Sequence, residues 1–131
     1  MPNNKFIFGK ASENNLIGVY PDLVKVVRRA LELTPLDFKV IEGRRTLERQ
    51  RELVKAGASQ PLNSRHLTGH AVDIVPLPDG KVSWEWKYFY PMVDAMKQAA
   101  AELGIAVEWG GNWTTFKDGP HFQLPARQYP G

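Results

Sequence analysis

Ser64-Arg65-His66-Leu67-Thr68-Gly69-His70-Ala71-Val72-Asp73-Ile74-Val75 is the stretch on which the reading of this chain turns. Its second half, Ala71 to Val75, is an apolar run of the kind that forms a buried or half-buried strand. Asp73 interrupts the run. A carboxylate there needs a hydrogen-bonded or charged partner, because an unpaired buried ion costs on the order of several kcal/mol. Gly69 permits a sharp turn that brings His66 back to face Asp73. Strand alternation puts Ala71 and Asp73 on one side and Val72 and Ile74 on the other, and the small Ala71 leaves room beside an ion. Two readings stand: His66 and Asp73 are metal ligands, or His66 caps a loop while Asp73 pairs with an arginine. His66 and His70 share the four-residue spacing of a helical zinc site, but the general-base position of that motif holds Leu67 and Gly69 disfavours a helix. His70 is read instead as a groove-wall or structural residue.

Working outward, Phe6-Ile7-Phe8 reads as a short strand and Ser12 to Tyr20 as a loop broken by Asn14, Asn15 and Gly18. Pro21 opens a helix in which Leu23, Val26, Val27, Ala30, Leu31 and Leu33 recur at helical spacing until Pro35. Phe38 to Glu42 reads as a strand. Thr46 is placed to cap a helix from Leu47 to Ala56. After Asp79-Gly80, a turn signal, a further helix is expected over Tyr90 to Leu103, with Pro91 in its first turn and Gly104 beyond its end. Ile105 to Trp109 and His121 to Leu124 complete the strands. The expectation is one α+β domain over 1–131, a small, mostly antiparallel sheet with helices packed against it.

Two further segments carry candidate chemistry. Asp118 stands three residues before His121 on a Gly119-Pro120 turn, which can put both groups over one ion. On that reading His121 is the third ligand and Asp118 a general base; the alternative is a turn aspartate beside a core histidine. Two imidazoles and a carboxylate leave a fourth zinc position for water, whose pKa the metal lowers toward ~7. Glu42-Gly43-Arg44-Arg45-Thr46 lies at a strand-to-helix junction, where a guanidinium is suited to stabilising an oxyanion, and Arg45 is the favoured one of the pair. Gln50 is placed to orient neighbouring loops. Trp109 and Trp113 line a substrate groove or belong to the core.

The bulk numbers narrow the classes. In 131 residues there are no cysteines, so disulfides and thiolate metal sites are excluded and any metal uses His, Asp or Glu. No apolar stretch approaches the ~20 residues of a membrane span, so no stable membrane association is expected. Met1-Pro2-Asn3-Asn4-Lys5 lacks the pattern of a secretory signal, which implies synthesis and retention in the cytoplasm. The net charge of +3 favours an anionic partner. The charges are scattered and match no nucleic-acid module, so nucleic acid is not expected as that partner.

Together these segments resemble the zinc D,D-peptidase family of VanX- and VanY-type enzymes and phage endolysins. Its pattern Ser-x-His-x-x-Gly-x-Ala-x-Asp is met by Ser64, His66, Gly69, Ala71 and Asp73, its acidic-x-x-His by Asp118 and His121, and its Gly-x-Arg-[Ser/Thr] by Gly43, Arg45 and Thr46. Within that family the chain is most similar to endolysins that cleave the L-alanyl-D-glutamate bond of peptidoglycan stem peptides. The resemblance rests on the short single domain, the loop Trp109-Gly110-Gly111-Asn112-Trp113, and Asp118 where VanX-type enzymes carry Glu. It implies a hedgehog-like α+β fold and one zinc ion on His66, Asp73 and His121. It also implies Asp118 as catalytic base, Arg45 as transition-state stabiliser and Ser64 lining the substrate site. A monomer stored in the host cytoplasm, with holin-dependent access to the wall, is implied as well. The competing expectations are a D-alanyl-D-alanine carboxypeptidase or dipeptidase and a non-catalytic zinc-containing wall-binding module.

Overall fold

The computed structural model describes residues 6–44, 47–56, 65–112 and 119–129. Among these residues, four strands form one antiparallel sheet in the order β1-β2-β4-β3: β1 is Phe38–Glu42, β2 Ala71–Pro76, β3 Glu108–Trp109 and β4 His121–Gln123. Helices α1 (Lys10–Leu16), α2 (Pro21–Leu33), α3 (Leu47–Lys55) and α4 (Trp86–Leu103) complete the α+β arrangement. Among the described residues, no helix is long and apolar enough to cross a membrane.

The core lies between one sheet face and the α2–α4 pair. Leu23, Val26, Val27, Ala30 and Leu31 of α2 are buried on one stripe, with Pro21 at the helix start. Met92, Val93, Met96 and Ala99 of α4 meet them. Val72, Ile74 and Phe122 supply the sheet side of the same cluster. Removing these apolar surfaces from water stabilises the fold by roughly 25 cal/mol per Å². Because strand side chains alternate, burying Val72 and Ile74 on this face commits Ala71 and Asp73 to the other.

Several boundaries differ from the sequence reading. The segment read as a loop before Tyr20 contains α1, because its polar residues are used across space. Asn15 Nδ2 donates to the Val40 carbonyl at 2.9 Å, and Ser12 Oγ accepts from the Val40 N–H at 3.1 Å. These bonds hold α1 on β1 in spite of weak helix formers. Residues 6–8 form no strand; Phe8 instead packs edge-on to Phe38 at 5.8 Å between ring centres. Helix α4 begins at Trp86, so Pro91 lies inside it and not in its first turn. Gly104 ends it in the left-handed conformation (φ 69°), as a helix C-terminus favours. The strand read from Ile105 shrinks to Glu108–Trp109, and the one read to Leu124 ends at Gln123.

Candidate metal centre

β2 and β4 pair so that Ala71 stands opposite Gln123, Val72 opposite Phe122, and Asp73 opposite His121. Directly opposed residues share a face, so Asp73 and His121 emerge together on the side away from the core. His66 arrives from a single 3₁₀ turn, Arg65–Thr68, folded back by Gly69. Gly69 has φ +81°, and a Cβ there would lie 2.3 Å from the Gly18 carbonyl oxygen. Its own carbonyl accepts from Tyr20 N–H at 2.7 Å. Only glycine meets both the backbone angle and the close approach.

His66, Asp73 and His121 each offer a ligand atom, and these atoms lie within 4.8 Å of one another. Asp73 Oδ1 is 3.2 Å from His66 Nε2 and 3.3 Å from His121 Nδ1. A tetrahedral ion with bonds of ~2.0 Å separates its ligand atoms by about 3.3 Å, so the two separations from Asp73 match zinc-sized coordination. The rings of His66 and His121 stand edge to face, 4.9 Å apart. Exposure is 2% for His66 and 5% for His121, while the Asp73 side chain keeps 15%. The two imidazoles are closed off from solvent, and the carboxylate keeps a small exposed margin.

The second nitrogens of both rings are also engaged. His66 Nδ1 lies 2.8 Å from the Gly43 carbonyl, which can only accept, so Nδ1 carries the proton and donates. In a neutral ring that leaves the Nε2 lone pair aimed at the cluster. Gly43 is itself fixed by crowding: a Cβ would fall 1.7 Å from the Asn15 carbonyl oxygen. His121 Nε2 lies 2.7 Å from Gln123 Oε1. Burial pushes the Asp73 carboxyl upward, but hydrogen bonds from His121 and His66, with their charge, outweigh it and hold the group well below the usual carboxylate range. An ionised oxygen with two imidazole nitrogens around it is a donor set suited to a divalent cation. The arginine partner entertained for Asp73 is replaced here by the two imidazoles.

His70 points elsewhere. Its ring stacks on Tyr20 at 5.1 Å and its Nδ1 lies 2.6 Å from Thr68 Oγ1. Trp109 is 9% exposed, lies against Phe122 and donates from its indole N–H to the Gly119 carbonyl at 2.6 Å. It therefore anchors the turn that delivers His121. Arg45, Thr46, Ser64, Trp113 and Asp118 lie outside the described residues, as does the side chain of Gln50. The sequence reading did not anticipate the Gly43 carbonyl or Gln123. Gln123 was accessible through the two-residue strand period that places it on the face of His121; the Gly43 contact depends on tertiary crowding alone.

Residues 4–124 match the family model described as phage L-alanyl-D-glutamate peptidase. The L-alanyl-D-glutamate peptidase of Escherichia phage T5 is 39% identical over 130 residues, covering 96% of this chain and 94% of that protein. The crystal structure of the Serratia marcescens L-Ala D-Glu endopeptidase ChiX is 57% identical, with a TM-score of 0.89 over 97% of this chain and 96% of that one. The D,D-dipeptidase VanXYg, at 17% identity and a TM-score of 0.53 over 81% of this chain and 50% of that one, shares the fold. The sheet, the converging histidines and these likenesses have one common account: the chain belongs to the phage L-alanyl-D-glutamate peptidase family.

Proposed function

We propose that this chain is a zinc-dependent endolysin that hydrolyses the L-alanyl-D-glutamate bond of peptidoglycan stem peptides. The observation that carries the reading is the Asp73–His121 cross-strand pair with His66 folded onto it, its ligand atoms within 4.8 Å. His66 Nε2, Asp73 Oδ1 and His121 Nδ1 would hold the ion. When bound, zinc supplies a Lewis acid that polarises the scissile carbonyl and makes water acidic enough to be deprotonated near neutral pH.

The remaining work falls to the chain's own residues. Asp118, three residues before His121, takes the proton from the attacking water and returns it to the departing amine of D-glutamate. Arg45 offsets the negative charge that grows on the carbonyl oxygen. Ser64 and Trp113 line the peptide, while Trp109, on the core face with Phe122, serves packing. The ring donations to Gly43 and Gln123 keep both imidazoles oriented, so little rearrangement is needed on binding the ion. Action as a monomer, held in the host cytoplasm until a holin opens the membrane, completes the proposal.

The test is mass spectrometry of purified sacculi digested with and without a chelator. Fragments bearing a new D-glutamate amino terminus, absent with chelator and restored by zinc, are expected. Loss of terminal D-alanine alone would instead make the enzyme a carboxypeptidase. In the same digest Asp118→Ala is expected to lower the rate by roughly 10²–10⁴ while zinc content is kept, as for removal of a general base. Full activity in that variant would remove Asp118 from the mechanism.

A further inference from the structure

We infer that the exposed rings of Trp84, Trp86 and Tyr90 form a platform for the N-acetylated amino sugars of the glycan strand that carries the stem peptide. The choice of ligand rests on the peptidoglycan reading above; whether the platform takes a sugar can be measured without turnover.

The stretch that leads into α4 leaves its large rings in solvent: Trp84 is 59% exposed, Tyr90 52% and Trp86 42%. Scattered apolar residues at a surface are ordinary, but a contiguous group marks a binding surface. These rings are contiguous. Trp86 and Tyr90, four apart on the helix, have centres 6.3 Å apart, and the buried Phe89 lies 6.0 Å from Trp86 and 6.4 Å from Trp84. The array abuts the turn that delivers His121. A Cβ at Gly119 would stand 2.9 Å from the Phe89 ring and 3.7 Å from that of Trp86. The other side of the same turn meets the ligand strand, where Ile74 N–H donates to the Pro120 carbonyl at 2.9 Å. The platform and the ligand cluster therefore flank one turn. The substrate's length then names the occupant. In peptidoglycan the amine of L-alanine is joined to the lactyl group of an amino sugar. The bond to be cut lies only an alanine and a lactyl unit, about 7 Å at full stretch, from a pyranose ring. The C–H bonds on a pyranose face carry partial positive charge and suit the negative faces of aromatic rings. Charge and size favour this ligand over others. Glu85 and Lys87 beside the rings pair at 3.8 Å, so the surface is electrically balanced, whereas an anionic bilayer selects clusters of Lys and Arg. Three half-exposed rings of ~150–250 Å² leave roughly 300 Å², well under the ~800 Å² that each partner buries in a stable protein interface.

The test reads sugar binding and turnover separately. The intact chain is titrated with N,N′-diacetylchitobiose, a neutral N-acetylated disaccharide, while NMR follows the indole N–H signals of its four tryptophans. The Trp84 and Trp86 signals are expected to move, with an affinity on the order of millimolar. Signals still unmoved at about tenfold that concentration overturn the platform. So do signals that respond to protein concentration or to anionic vesicles but not to the sugar, which would assign the surface to a second copy or to a membrane. Turnover then compares a stem peptide with the same peptide carrying its disaccharide. The parent is expected to favour the glycosylated substrate about tenfold in kcat/KM, through KM, as two stacked rings would provide. Trp84→Ala combined with Tyr90→Ala is expected to erase that preference while cleaving the bare peptide within about twofold of the parent, and Trp84→Tyr is expected to retain it. Equal kcat/KM on the two substrates in the parent, or an undiminished preference in the double variant, overturns the inference. Should the double variant fail to fold, Trp84→Ala alone decides by the same comparison. Should the parent cleave neither substrate, the peptidase reading fails, and the sugar titration still decides the platform.

Discussion

On either side of Gly69, two histidines four residues apart are buried in regions built on different principles. His66 sits in a polar cluster, its Nδ1 donating to the Gly43 carbonyl and its Nε2 3.2 Å from Asp73. His70 sits in an aromatic clamp, stacked on Tyr20 and bordered by Tyr129. The clamp is closed by polar bonds at its rim. Tyr129 Oη donates to Asp22 at 2.7 Å, and Arg65 donates to the Tyr129 and Leu124 carbonyls. In the first region one ring nitrogen donates to a backbone carbonyl and the other meets a carboxylate. In the second, the ring contributes mainly its faces. The same residue type serves chemistry or packing according to what surrounds its nitrogens, which residue spacing does not reveal.

The sharpest way to break this contrast is to truncate each ring. His66→Ala is expected to lose its metal and fall to background hydrolysis, as elemental analysis and the sacculus assay would read. His70→Ala is expected to keep metal and turnover while losing about 1–3 kcal/mol of stability through its stack and hydrogen bond. If the two variants behaved alike, the division between the regions would be wrong. Acid sharpens it further. Burial, then the charge of Arg65, lowers the basicity of His70 in the fold, so the neutral ring is preferred there. The stability this gives is complete above the ordinary histidine pKa of ~6.5 and is lost as pH falls below it. Thermal melts between pH 7 and 5 should show a shallower decline in His70→Ala than in the parent.

Gly69→Ala attacks the hinge between the regions. With φ +81° and the Gly18 carbonyl 2.3 Å from the added Cβ, it should cost at least about 1–3 kcal/mol and weaken metal binding with it. A denaturant titration with the parent's midpoint would show that the backbone there tolerates what the geometry forbids. Tyr129→Phe probes the clamp's rim alone. Losing the bond to Asp22 is worth about 1 kcal/mol, with no change in metal affinity.

Much of the sheet was legible because strand alternation is a strict rule. Val72 and Ile74 announce a buried face, Asp73 marks its reverse, and Gly69 marks the fold-back of His66. Helix α2 was legible for the same kind of reason, its apolar stripe being unambiguous. What escaped depends on contacts distant in sequence. The polar residues Ser12, Asn14 and Asn15 argue locally against a helix, yet Ser12 and Asn15 bond to β1 from within one. Pro91 suggested a helix start, but the aromatic residues Trp86 and Phe89 before it pack well enough for α4 to begin earlier. Glu108 drew no reading of its own within the strand expected there; only the register of β3 on β4 brings it to Gln123.

Helix α1 illustrates where this leads. It is stitched to β1 through Ser12 and Asn15, and its Asn15 carbonyl abuts Gly43, the residue whose own carbonyl steers His66. A segment some fifty positions upstream of His66 is thereby part of that ring's foundation. Under the zinc reading proposed above, fraying of α1 would loosen the grip on the cation, and a substitution chosen as harmless because it lies far from the centre would be felt there all the same.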